Sequence, residues 1–147
     1  MNEATDAAVR EWTTTAPCVF ERALLAGCAQ CELAQRQAFG ERERVACPSL
    51  TARTNCATLA ALLHERATFA LRLPRAGEPM AHAKAMQLQC GGLIGLRNVL
   101  AAPDADVHRM VLITHADNHS LLDLAWDRIV RDIKSWQPRR RAAPARP

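Results

Sequence analysis

Prolines at positions 17, 48, 74, 79 and 103 cut this chain into pieces too long for single strands and of ordinary helical length. Thr15 is placed to cap a helix that Pro17 opens, since a first-turn proline loses no hydrogen bond. The spacing predicts one long helix from Pro17 to Phe39, closed by Gly40. ERERVACP, Glu41 to Pro48, then reads as a connector, extended before its proline. Ser49 or Asn55 caps a second long helix that stops before Pro74. Pro79 opens a third, MAHAKAMQLQCGGLIGLRNVL, interrupted by Gly91 and Gly92. Each glycine costs about 1 kcal/mol in a helix interior, which suggests close packing against a neighbour or a break.

Shorter elements flank these three. Asn2 to Thr14 can form a leading helix, and Asp104 or Asp106 can start a segment around HRMVLIT. Asp117, Asn118 or Ser120 caps a last helix ending near Trp136, whose stripe of Leu122, Ala125, Ile129, Ile133 and Trp136 keeps the 3.6 period. Alanine and leucine dominate and aromatic residues make up only 4% of the chain, a balance that favours helix over strand. The expected fold class is therefore all-α, an antiparallel bundle of four to five helices. Residues 1–137 form a single helical domain in this reading, and 138–147 a disordered Arg/Pro-rich tail.

Six cysteines carry the functional argument. Cys28 and Cys31 are three apart, so on the expected helix they share one inward face with Leu24. Cys47 precedes Pro48, as ligand cysteines do in bacterial ferredoxin-type loops. Cys56 lies in line with Leu59 and Leu63 and so also faces inward. If the first two long helices pack antiparallel, Cys28, Cys31, Cys47 and Cys56 converge. That set suits an iron–sulfur cluster, [4Fe-4S] by ligand number. Cys90, beside the double glycine, is the alternate ligand. Cys18, about 15 Å up the same helix and rotated away, is the poorest candidate.

Zinc is the weaker alternative, because structural zinc sites pair two close chelating turns and only one close pair exists here. A redox-active Cys28–Cys31 pair would want a helix N-terminus to activate it, and mid-helix placement denies that. Six buried thiols that merely fill a core remain the bland reading.

The other polar groups say less. His108, His115 and His119 would form one stripe on an unbroken helix, but ADNHS reads as a boundary. His64 and Glu65 begin a zinc-protease motif that Thr68 voids. No catalytic residues stand out. The amino terminus lacks the pattern of a secretory signal and no apolar run could span a bilayer, so a cytoplasmic address with reduced thiols is expected.

The sequence thus points to a small iron–sulfur protein in electron transfer, redox sensing or an accessory role beside a larger redox enzyme or electron-transfer protein. Two alternatives stay open. One is a metal-free helical interaction or regulatory module with core cysteines. The other is a zinc-stabilised protein that meets nucleic acid through Arg139, Arg140, Arg141 and Arg146, although no nucleic-acid-binding module is recognisable.

Overall fold

The computed structural model describes residues 16–117 and 120–138. Its elements in chain order are β1 (Ala16–Pro17), α1 (Glu21–Leu25), β2 (Gln35–Phe39), β3 (Arg42–Cys47), α2 (Leu50–Leu71) and α3 (His82–Leu100). They continue with α4 (Val107–Ala116), a 3-10 turn at Leu121–Asp123, and α5 (Trp126–Ser135). The leading helix expected over Asn2–Thr14, the arginines from Arg139 onward, and Asn118 with His119 lie outside the described residues.

The fold is mixed, not all-α: among the described residues, five helices accompany a three-stranded antiparallel sheet in the order β1-β3-β2. The helix expected from Pro17 to Phe39 survives only as the five residues of α1. Gly27, at φ 77°, follows the end of that helix in a left-handed conformation that glycine adopts without strain. Beyond it the chain turns at Cys31–Ala34, where the Ala34 N–H donates to the Cys31 carbonyl at 3.1 Å. Gln35–Phe39 then pairs with Arg42–Cys47, Phe39 opposite Arg42, around a two-residue turn of Gly40 and Glu41. Gly40 takes φ 63° there while Glu41 keeps a negative φ, the II′ pattern whose twist suits a hairpin. The expected connector is thus the central strand.

Period two puts Val45 and Cys47 on the inward face of β3 and leaves Arg42 and Arg44 outside. Glu21 ties α1 to that strand: its carboxylate accepts the Val45 N–H at 2.8 Å and receives Arg44 Nε at 3.0 Å. Burial opposes the charge on Glu21, but these two donors hold its carboxyl below the usual range.

The long helices follow their punctuation. Ser49 Oγ accepts the Ala52 N–H at 3.1 Å and caps α2. Asp106, only 3% exposed, caps α4 by accepting the Arg109 N–H at 3.1 Å. α5 starts later than expected, at Trp126. Ser120 instead caps the 3-10 turn, whose Asp123 reaches back to the Ser120 N–H in a capping box. Phe20, Leu59, Leu63, Leu93, Ile129 and Ile133 form the centre of a core shared by α2, α3 and α5. Among the described residues, no helix is long and apolar enough to cross a membrane.

α3 runs unbroken through Gly91, Gly92 and Gly95; α5 lies against Gly91 and Gly95, and Leu63 of α2 against Gly92. A Cβ on Gly91 would stand 2.8 Å from Ile133 Cα, a backbone atom that cannot rotate away. Gly91→Ala should gain about 1 kcal/mol of helix propensity and lose about 2 kcal/mol to overpacking. The expected result is a lower urea midpoint. An unchanged or higher midpoint would show that the two helices slide apart freely.

Candidate metal centre

Four cysteines line one apolar, partly open cavity: Cys18, Cys31, Cys47 and Cys56. Each arrives on a different element. Cys18 follows β1, which pairs Ala16 with Cys47, and the Cys18 N–H donates to the Val45 carbonyl at 2.9 Å. That ladder places Cys18 beside the end of β3, where Cys47 faces inward. Cys56 sits in the second turn of α2, on the face of Ala52 and Arg53, which line the same cavity. Val19, Phe20, Ala34 and Val107 supply apolar wall, and His108 completes the rim.

Cys31 is carried by a loop that two distant partners fix. The Gln30 N–H donates to the Ala105 carbonyl at 3.1 Å, and the Val107 N–H donates to the Gln30 carbonyl at 2.9 Å. Glu32 adds polar ties to the start of α4, accepting Arg109 Nε at 3.2 Å and standing 3.7 Å from His108 Nε2. Three residues earlier, Cys28 forms a disulfide with the fully buried Cys90 of α3, Cα to Cα 5.5 Å.

The cavity therefore gathers Cys31, Cys47 and Cys56 of the expected ligand set together with Cys18. Cys28 and Cys90 stand apart, bonded to each other. The reduced thiols expected with a cytoplasmic address are not found at this pair. Cys18 was hidden by the assumption of one long helix, which rotated it away. The missed signal is local: Cys18 and Cys31 each open a tight turn, Cys18–Glu21 and Cys31–Ala34.

The backbone N–H groups of Leu33, His108 and Ala34 near Cys31, and of Phe20 near Cys18, offset part of the burial of those two thiols. N–H dipoles so placed favour a thiolate over a thiol. Burial still dominates in the metal-free protein. It pushes the Cys18 thiol up to about 11 and raises Cys31, with neighbouring charged groups adding to both. Burial and the proximity of Cys31, Cys18 and Cys47 push Cys56 up to about 12.

Their separation matters. Among the described residues, no three Cys, His, Asp or Glu side chains form a group that could hold a metal ion as they stand. The thiols ring the cavity without meeting at one point. His108 and His115 share α4, but only His108 borders the cavity. Arg53 Nη1 donates to the Cys47 carbonyl at 3.2 Å, bringing a fixed positive charge to the rim.

The raised thiols fix a pH dependence. A thiol whose folded pKa exceeds its unfolded value, about 9, stabilises the fold fully below pH 9. That contribution is lost as pH rises through about 11 for Cys18 and about 12 for Cys56. Metal-free protein should therefore show a falling urea midpoint from pH 9 upward. Because coordination removes thiol protons, metal affinity should climb over the same range. A midpoint flat from pH 8 to 11 would contradict the buried-thiol arrangement.

No protein-family model, curated protein or solved structure matches this chain.

Proposed function

We propose that this chain is a small iron–sulfur protein whose centre is held by Cys18, Cys31, Cys47 and Cys56, and that it serves electron transfer, redox sensing or an accessory task beside a larger redox protein. The observation that carries the reading is that four unpaired thiols from four separate elements line one apolar cavity. Backbone amides near Cys31 and Cys18 offset part of the burial that raises those thiols. Solvent exclusion and N–H donors at sulfur are also what tune the potential of such centres.

Zinc and a cluster differ in what they ask of the thiols: tetrahedral zinc, with Zn–S near 2.3 Å, needs its sulfurs only ~3.8 Å apart, whereas a cluster interposes its own irons and sulfides. One observation speaks for zinc: the enclosed part of the cavity measures about 20 Å³, little more than a single water requires.

Metal and sulfide analysis of protein purified without air tests the reading. Iron with acid-labile sulfide and a broad absorption near 400 nm (roughly, for thiolate-bound clusters) is expected. Colourless protein with stoichiometric zinc would replace the cluster by the structural alternative. Folded, metal-free protein that refuses iron and sulfide on reconstitution would remove both.

A further inference from the structure

The Cys28–Cys90 bond joins a sulfur that solvent reaches to one that it does not. Cys28 is half-buried in its loop, whereas Cys90 is wholly buried within α3. The helix is not free to turn Cys90 outward. Its next residue, Gly91, lies so close to α5 that an added Cβ would stand 2.8 Å from Ile133 Cα. From this asymmetry we infer that Cys28 is a thiol-exchange site, where a dithiol donor reduces the bond and releases the loop that walls the four-thiol cavity. The exchange needs no metal in that cavity.

The loop, Gly27 to Ala34, supplies Cys31 and Ala34 to the cavity wall. Its leading side is tied to α3 by the disulfide and, through α1, by the Ala23 N–H, which donates to Gln89 Oε1 at 3.2 Å. Only Ala29 separates Cys28 from Gln30, whose backbone pairs with Ala105 and Val107. The remaining side-chain ties join exposed or half-exposed groups. Glu32 meets Arg109 at 3.2 Å and His108 at 3.7 Å, and Gln30 Nε2 donates to Asp104 at 3.4 Å. Contacts of that kind contribute little. The covalent bond is therefore the firmest restraint on the segment, and without it the loop opens while the helical core stays folded.

The chemistry is thiol–disulfide exchange. A thiolate approaches along the S–S axis from the side opposite the leaving sulfur. Cys90 is the inward end of that axis, so the donor attacks Cys28. The Cys28–Cys90 bond breaks and a mixed disulfide forms at Cys28. The electron pair of the broken bond goes to Cys90 sulfur, which takes up the proton lost by the attacking thiol. The donor's second thiol then attacks the donor sulfur of the mixed disulfide. Cys28 leaves as a thiol, the donor leaves as an internal disulfide, and two electrons have passed to the protein.

The test uses the full-length chain with a chelator present, so that the cavity thiols are free. Iodoacetamide labelling of Cys18, Cys31, Cys47 and Cys56 is followed by mass spectrometry, with and without prior dithiothreitol treatment in the absence of air. Circular dichroism checks that the fold persists. Cys31 should label roughly 10-fold faster after reduction, with Cys47 of the central strand changing far less. Equal acceleration at all four thiols would mean general loosening and would overturn the inference. So would labelling unchanged by reduction, or a bond that dithiothreitol fails to reduce in the folded protein. A second measurement locates the attack. Oxidised glutathione should modify Cys28 in Cys90→Ala protein and leave Cys90 untouched in folded Cys28→Ala protein. The reverse pattern would overturn Cys28 as the exchange site. If either variant is unfolded, the wild-type labelling comparison decides alone.

Discussion

Cys31→Ser protein purified without air is expected to come out colourless, and Cys18→Ser with it, while Cys28→Ser and Cys90→Ser stay brown. The loss at Cys31 should exceed the roughly 10- to 100-fold weakening that follows from changing an outer-shell partner of a metal. Cys31 combines two roles. Its sulfur lines the cavity, and its loop joins α1, α3 and α4. Cys18 enters because β1 pairs with β3 and sets it beside Cys47. Iron content in the six single Cys→Ser variants decides the matter. Bleaching by Cys28→Ser with colour kept in Cys18→Ser would restore the ligand set that helical phase alone favours and would refute the cavity as the site.

Reduction of the Cys28–Cys90 bond is expected to lower the stability of the metal-free protein by about 4 kcal/mol. The link closes a loop across a sequence separation of 62, and in the chain-entropy account a closure of that length restricts the unfolded ensemble by about this amount. Urea unfolding with and without a reductant measures the change. The Cys28→Ala/Cys90→Ala double variant should already sit at the lower stability and ignore the reductant. Thiol counting in denaturant, without reduction, gives a second reading: four reactive thiols are expected, matching the four unpaired cysteines. Six reactive thiols and no stability change on reduction would refute the bond.

The helical part of the fold was legible because local rules and tertiary packing agree there. Ser49 and Asp106 cap helices where capping residues should, and the stripe of Ile129 and Ile133 is buried at the helical period. The segment from Ala26 to Cys47 was not legible. Its Gln, Arg, Glu and Ala residues favour helix as isolated residues, and no β-branched run announces a strand. The hairpin there depends on groups outside it: Glu21 on the Val45 amide, and the short β1 that flanks β3. The glycine turn at Gly40 was a usable sign, since Phe-Gly-Glu-Arg fits a two-residue hairpin as well as a helix stop.

The candidate site inherited the same split. Cys56 and Cys31 were placed facing inward, the first on a true helix and the second through an assumed one. Cys47 faces inward because it alternates with Val45, not because a connector folds back. Cys18 and the partner of Cys28 depended on pairings remote in sequence, which helical phase cannot supply.

The bridge between Gln30 and the Ala105–Val107 segment has a consequence for how the protein is made. The four thiols occupy positions 18 to 56, so all of them leave the ribosome before Ala105 and Val107 do. Yet the loop that presents Cys31 is held by the Ala105 carbonyl and the Val107 amide, which emerge some fifty residues later. A nascent chain cannot fix the Cys31 loop in its final arrangement until Val107 is free. Until then the four thiols that come to line the cavity stay open to whatever oxidant the chain meets.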